Sequence, residues 1–155
     1  MCNKRRRCKE ITKKDQDEIK IIRDLCEQFK SADMYVIAAP MWSLSFPAPL
    51  KEYIDCVVQV GKTITFEKGK KPQGLLNDKY RALVYVESAG GNIPLLLDPI
   101  MDKGENYISS IMKTLGIKKV HEIKVDNTGT TEEERKAAIN KAENEIDHMI
   151  NSLEF

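Results

Sequence analysis

The sequence predicts an open α/β fold, a parallel β-sheet with helices on both of its faces, in a single domain that spans residues 1–155. Helical and strand patterns alternate along the chain, and right-handed crossovers between successive strands produce a parallel sheet. Two strand patterns, MYVIAA at 34–39 and RALVYVE at 81–87, are apolar runs typical of strands buried between helices. A chain of 155 residues has room for one hydrophobic core and not for two.

The first helix is predicted to begin after Thr12, because Thr12 and Asp15 have the spacing of a capping box. Its apolar stripe consists of residues three or four apart, namely Ile22, Leu25, Cys26 and Phe29. Residues 1–12 are predicted to be a disordered tail, since the first fourteen residues hold seven basic side chains against one acidic. No aromatic side chain is interleaved with these charges to stack on bases, so we expect no nucleic-acid partner.

The first strand, 34–39, is predicted to be buried on both faces because all of its residues are apolar. Pro40 ends it by removing a backbone donor. A second helix follows the loop PMWSLS, and Pro49 suits the first turn of that helix. Its apolar residues recur three and four positions apart, at Leu50, Tyr53, Ile54, Val57 and Val58.

The second half of the chain repeats this alternation. The strand at 81–87 stops at SAGG, residues 88–91, and a helix then runs to Gly116, which is placed as its C-cap glycine. That helix has an apolar stripe of Ile108, Ile111, Met112 and Leu115. The segment KVHEIKV, 119–125, alternates apolar and polar residues and suits a strand near the edge of the sheet.

The last helix is predicted to begin at a second capping box, formed by Thr131 and Glu134. One of its faces carries Ala142, Ile146, Met149, Ile150 and Leu153. Only three good strands are present, whereas a strand as apolar as 34–39 expects a neighbour on each side. We therefore expect an incomplete sheet, whose missing strands would precede the first helix or come from another polypeptide.

Composition excludes several classes of protein. The net charge is +1, hydrophobic residues make up 41% of the chain, and no apolar run approaches the length of a membrane span, so we expect no membrane partner. The chain does not open on an apolar signal segment, and we expect a cytoplasmic protein. The four cysteines show no paired-ligand spacing, and no metal site is predicted.

Two loops are predicted at the carboxyl edge of the sheet, where α/β proteins bind their ligands. In the first, Met41, Trp42 and Leu44 offer polarizable and apolar surface for a flat aromatic ring, and Ser43 can hydrogen-bond its polar rim. The alternative is that Trp42 and Leu44 fill the top of the core. In the second loop, Gly90 and Gly91 let the backbone approach a ligand closely, the alternative being a simple tight turn.

The stretches APMWSLSFPAPLKEYIDCVVQVGKTITFE, 39–67, and GLLNDKYRALVYVESAGG, 74–91, resemble the FMN-dependent NADH-azoreductases, which are flavodoxin-like quinone reductases. The resemblance implies a flavodoxin-like, three-layer α/β/α fold that is incomplete at its N-terminal side, with about three strands. It also implies a homodimer that binds FMN at the subunit interface. Hydride would pass from NADH or NADPH to FMN and then to a quinone or azo compound, with the substrates taking turns in one pocket.

The resemblance assigns residues to the flavin site. The loop along the isoalloxazine is matched by Met41, Trp42, Ser43 and Leu44, and the loop at its polar edge by Ser88, Ala89, Gly90 and Gly91. Phe66 matches an aromatic position that reaches toward the partner's flavin. No catalytic side chain is implied, because the flavin performs the redox chemistry.

The sequence departs from this family at its start. The family's first strand, the serine-containing phosphate loop, the first helix and the second strand have no counterpart in the chain. The competing interpretation is therefore a truncated flavodoxin-like protein that binds FMN weakly or not at all and has no catalytic activity.

Overall fold

The computed structural model describes residues 12–91, 102–129 and 131–153. Helices and strands alternate in it. The helices are α1 (Lys13–Ser31), α2 (Ala48–Val57), α3 (Lys103–Leu115) and α4 (Glu132–Asn151). The strands are β1 (Met34–Pro40), β2 (Ile64–Thr65), β3 (Gln73–Gly74), β4 (Ala82–Ser88) and β5 (Lys119–Val125).

The main sheet is parallel and has three strands in the order β1-β4-β5. Its register aligns Pro40 with Ser88 and Ser88 with Val125, so the carboxyl ends of all three strands lie level at one edge. The two short strands β2 and β3 form a separate antiparallel hairpin. The predicted parallel sheet, with 119–125 at an edge, is confirmed.

Helices cover both faces of the sheet, as predicted. On one face, Phe29, Ile54 and Met112, from α1, α2 and α3, pack in a core with Leu83 and Tyr85 of β4. On the other face, α4 packs Ala142 against a smaller cluster that includes Val84 and Ile123. The result is a three-layer arrangement in which the first face holds most of the buried side chains.

The helix ends follow the local sequence signals. Thr12 with Asp15 and Thr131 with Glu134 both form the predicted capping boxes, in which side chain and backbone bond reciprocally. Gly116 has a left-handed φ of 109° at the end of α3. A Cβ on Gly116 would also lie 3.0 Å from the backbone of Leu76 and Asn77, so the position requires glycine for two reasons.

Two predictions of burial are wrong. The strand at 34–39 is buried on one face only, and Val36 on the other face is 64% exposed. It is exposed because β1 is the edge strand and α4 covers the β4 and β5 side of that face. On α4, Ala142 is buried as predicted, but Ile146 and Ile150 on the same predicted face are exposed.

The predicted basic tail, residues 1–12, lies outside the described residues except for Thr12. None of the helices within the described ranges is both long enough and apolar enough to cross a bilayer.

Candidate functional site

The loops that follow β1 and β4 meet at the carboxyl edge of the sheet. The backbone N–H of Met41 donates to the carbonyl of Ser88 at 2.8 Å, one residue beyond the end of β1. This hydrogen bond extends the β1–β4 pairing into the loops. Residues 41–44 and 88–91, which sequence reasoning assigned to one site, therefore begin side by side.

The first loop contains a tight turn, residues 42–45, which we call the Trp42 turn. Trp42 and Ser45 exchange backbone hydrogen bonds, with N···O distances of 2.6 and 3.0 Å. Both central residues have a left-handed φ, 52° at Ser43 and 63° at Leu44, a conformation that costs a residue with a side chain about 1–2 kcal/mol. Such strain persists only where the surroundings hold it, and it is characteristic of ligand-binding loops.

The Trp42 turn presents its aromatic side chain to solvent. Trp42 is 64% exposed, while Met41 and Leu44 are partly buried. The alternative in which Trp42 fills the top of the core is therefore wrong, and its ring is available to contact a ligand. The turn is fixed from below by α3, because the N–H of Lys103 donates to the carbonyl of Leu44 at 3.1 Å.

The second loop, residues 88–91, we call the glycine loop. Gly90 and Gly91 are exposed, and a Cβ built on either would meet no atom of the described chain within 4 Å. Neither has a left-handed φ, so the turn itself does not require glycine at these positions. Among the described residues no group accepts a hydrogen bond from their N–H groups, so both donors can serve a ligand.

A third loop, residues 126–129, holds the glycine loop in place, and the sequence analysis did not identify it. Thr128 donates to the carbonyl of Ala89 from its N–H at 3.2 Å and from its hydroxyl at 3.0 Å. The N–H groups of Gly129 and Asn127 donate to the carbonyls of Gly90 and Gly91 at 3.3 and 3.4 Å. The turn residues DNTG, directly after the last strand, could have predicted that this loop belongs to the site, because the last strand ends at the same edge of the sheet.

A buried acidic cluster lies beneath the loops, and sequence reasoning did not identify it either. Glu87, the residue before the glycine loop, is 2% exposed and accepts a hydrogen bond from the Tyr85 hydroxyl at 2.8 Å. Asp102, the N-cap of α3, is equally buried and has Lys124 Nζ 3.3 Å from its Oδ2. The pKa of Glu87 is raised to about 7, chiefly by burial and also by the nearby Asp102, while the hydrogen bond from Tyr85 and the charge of Lys124 oppose the shift.

The acidic cluster also explains why residue 104, at the start of α3, is a glycine. A Cβ on Gly104 would lie 3.2 Å from Glu87 Oε2 and 3.3 Å from Ser45 Cα. The first turn of α3 therefore packs closely on Glu87 and on the Trp42 turn together. Rigid contacts of this kind position a site more accurately than loops alone.

Phe66 is not brought to the two loops within one chain. It is 57% exposed and follows β2 in the hairpin whose second strand packs at the C-terminal end of α3. The Trp42 turn contacts the N-terminal end of the same helix, and a helix of 13 residues is about 20 Å long. Its predicted role toward a partner's flavin stays a prediction.

The open side of the sheet has a groove at the base of both loops. The groove has a volume of about 300 Å³ and is lined by Ala38, Ala39, Pro40, Val86 and Ser88. The Trp42 turn and the glycine loop, which begin beside this groove, offer an exposed indole ring and two N–H groups for which the described residues provide no acceptor. This combination of flat apolar surface and fixed N–H groups suits a planar heteroaromatic ring with carbonyl groups at its edge.

Comparisons with known proteins place the chain among flavodoxin-like proteins. Residues 4–150 match a protein family described as having the flavodoxin-like fold. A Clostridium botulinum (strain Eklund 17B / Type B) protein named FMN-dependent NADH:quinone oxidoreductase is 57% identical over 143 residues, 92% of this chain and 66% of that protein. A protein of the same name from Ruminiclostridium cellulolyticum is 56% identical over 139 residues, 90% of this chain and 65% of that protein.

A solved structure is also similar. An FMN-dependent NADH-azoreductase from Bacillus anthracis str. Ames Ancestor, in complex with FMN, superposes with a TM-score of 0.74 at 25% sequence identity. The superposition covers 91% of this chain and 67% of that protein. The chain thus spans just under two thirds of the length of these curated relatives.

Proposed function

Because this chain belongs to the family with the flavodoxin-like fold, we propose that it binds FMN between the Trp42 turn and the glycine loop. We further propose that, with FMN bound, it passes hydride from NADH or NADPH to a quinone or azo acceptor. The observation that carries the proposal is the hydrogen bond from Met41 N–H to Ser88 C=O, which fixes both loops side by side at the carboxyl edge of the sheet.

The described residues fit the ring system of FMN. The indole of Trp42 would pack along the isoalloxazine, with Met41 and Leu44 excluding water beside it. The N–H groups of Gly90 and Gly91 would donate to the carbonyl oxygens of the ring, where the open space at both glycines admits it. These donors are held rigidly by residues 126–129, so they need no rearrangement on binding.

FMN supplies the redox chemistry when bound, alternating between oxidation of the nicotinamide and reduction of the acceptor. The protein's part is to bind, orient and shield the ring, so no side chain acts as nucleophile or general acid. Backbone donors at the polar edge of the ring would stabilise negative charge that develops there on reduction. The two substrates would use one pocket in turn.

The finer features of the proposal follow the relatives' names and the resemblance. We propose a cytoplasmic homodimer in which Phe66 reaches toward the partner's flavin. This position is consistent with the exposure of Phe66 and with its distance from the loops of its own chain. The second candidate is an inactive flavodoxin-like protein, favoured by the outer edge of β1, with which no strand of the described residues pairs.

Titration of the purified chain with FMN, read by flavin fluorescence, tests the proposal. We expect the chain to bind FMN. Trp42→Ala should weaken this binding at least tenfold, because the flavin ring loses its apolar wall. Gly90→Ala should also weaken it, because the added Cβ enters the space of the flavin ring. Neither change should alter the unfolding temperature appreciably, since both positions are exposed. Oxidation of NADH in the presence of FMN and a quinone should fall in parallel.

Val60→Ala is the matched control, because Val60 is an exposed apolar residue that lies between α2 and β2, outside both loops. It should leave FMN affinity unchanged. Equal affinity of Trp42→Ala, Val60→Ala and the unaltered chain would contradict the proposed site. Complete absence of FMN binding to the folded chain would favour the second candidate.

A further inference from the structure

Basic residues are concentrated where the β2–β3 hairpin meets the end of α3. Residues 68–81 hold five basic side chains against one acidic, and residues 113–119 hold three against none. The whole chain is nearly balanced, with 25 basic and 24 acidic residues. These two segments therefore carry a local excess of positive charge, which favours an anionic ligand.

The two segments enclose a groove of about 690 Å³, which we call the lysine groove. It is lined by Lys71 before β3, by Lys113 in the last turn of α3, and by Lys118 just after that helix. All three lysines are exposed, so their ammonium groups are available to a ligand. The volume of the groove is within the range that small-molecule sites occupy.

The lysines of the groove have no acidic partners. Three other basic residues of segment 68–81 do have them, in the pairs Lys70 with Glu67, Lys79 with Asp33, and Arg81 with Asp78. By contrast, Lys71, Lys113 and Lys118 form no ion pair with any residue of the described ranges. An anion that enters the groove would not have to displace a carboxylate.

The walls of the groove are fixed to each other at the end of α3. The carbonyl of Leu115 accepts from the N–H of Leu76 at 2.9 Å, which ties the hairpin to the helix. The carbonyl of Lys113 accepts from the N–H of Gly116 at 3.1 Å. These two hydrogen bonds also reduce the partial negative charge at the helix end, which would otherwise repel an anion.

One wall of the groove offers uncharged donors as well. The backbone nitrogen of Asn77 lies against Gly116, where a Cβ would come within 3.0 Å of it. No described group accepts a hydrogen bond from this N–H or from the side-chain amide of Asn77. N–H donors beside ammonium groups are a combination that binds phosphate oxygens.

We propose that the lysine groove binds a free oligophosphate, a small molecule with two or three linked phosphate groups. Linked phosphates fit better than a single phosphate, because the positive charges are spread along the groove rather than gathered at one point. A nucleic acid fits less well, because none of the described residues that line the groove is aromatic and able to stack on bases. The groove lies at the opposite end of α3 from the Trp42 turn, so this inference goes beyond the proposed flavin site.

Isothermal titration calorimetry of the full chain with inorganic triphosphate, at low salt, tests the proposal. We expect a one-to-one complex. Lys113→Gln and Lys118→Gln should each weaken binding about fivefold, and the double variant about twentyfold, because exposed charge pairs contribute modestly and independently. Lys141→Gln is the matched control, since it removes the same charge from an exposed position on α4, at the other face of the sheet, and should leave the affinity unchanged.

Thermal unfolding gives a second measurement. All the replaced lysines are exposed, so no variant alone should unfold at a lower temperature. Triphosphate should raise the unfolding temperature of the unaltered chain and of Lys141→Gln, but not that of the double variant.

Four results would overturn the proposal: no triphosphate binding by either measurement, equal weakening by all three single variants, inorganic phosphate binding as tightly as triphosphate, or an oligonucleotide that binds more tightly than triphosphate and loses its affinity in the double variant. None of these measurements involves FMN, so their failure would leave the proposed function untouched.

Discussion

At the residue scale, Glu87 is the side chain whose environment differs most from what its sequence position indicates. It ends an apolar strand, yet it is a carboxyl group that is almost completely buried beside a second buried acid, Asp102. Its pKa is raised to about 7, and burial likewise raises that of Glu122 on the neighbouring strand to about 7. Both groups make the stability of the protein depend on pH in the same direction.

The sign of this dependence follows from proton binding. An unfolded glutamate ionises near pH 4.5, whereas folded Glu87 keeps its proton up to about pH 7. Between these values the folded state binds more protons than the unfolded state, so the free energy of unfolding falls as the pH rises from about 4.5 to about 7. Above pH 7 both states are ionised and the loss is complete.

Glu87→Gln should therefore stabilise the protein at pH 8, by about 1–3 kcal/mol, and change little at pH 4. Glutamine cannot ionise, and its carbonyl still accepts from the Tyr85 hydroxyl. Urea denaturation across this pH range measures the effect, with Glu143→Gln as an exposed control on α4. A destabilisation of equal size at both pH values would show that ionisation of Glu87 does not lower the free energy of unfolding.

The residues of the candidate site were predictable where a local signal existed. Pro40, the exposed Trp42 and the glycine pair lie where strands end, and the ends of parallel strands share an edge. The burial of Glu87 was not predictable, because Lys124 meets it only when β5 pairs with β4 and Asp102 only when α3 packs on the sheet. The positive φ values at Ser43 and Leu44 were not predictable either, since neither is a residue type that favours that conformation.

At the element scale, the β2–β3 hairpin depends on one close contact with α3. A Cβ on Gly74 would lie 2.1 Å from the carbonyl carbon of Leu115 and 2.2 Å from its oxygen, both backbone atoms. The hairpin cannot easily move away, because the N–H of Leu76 donates to the same carbonyl at 2.9 Å. The C-terminal end of α3 and the hairpin are thus fitted to each other through a residue without a side chain.

Gly74→Ala should destabilise the protein by about 3 kcal/mol, the upper range for overpacking in a rigid contact. Gly69→Ala, in the same hairpin, tests the alternative that any glycine there matters equally. Gly69 has a left-handed φ of 79° but open space around it, so its replacement should cost only about 1 kcal/mol. Thermal or urea unfolding measures both, and equal losses would rule out the close contact as the cause.

Element boundaries were predictable because caps and apolar periods are local. Both capping boxes, the glycine that ends α3 and the order of strands and helices match the sequence analysis. The two-residue strands of the hairpin gave no pattern long enough to read. The burial of 34–39 was mispredicted because it depends on which other elements pack against β1. The composition of the strand alone does not determine that.

At the scale of the whole molecule, the candidate site is assembled at the ends of all three strands of the main sheet. β1 leads into the Trp42 turn, β4 leads into the glycine loop, and residues 126–129 after β5 hold the glycine loop through hydrogen bonds to its carbonyls. The strand β1 is uncovered on one face, and no strand of the described residues pairs with its outer edge. The position of the Trp42 turn therefore depends on β4, through the hydrogen bond from Met41 to Ser88, and on α3, through the hydrogen bond from Lys103 to Leu44.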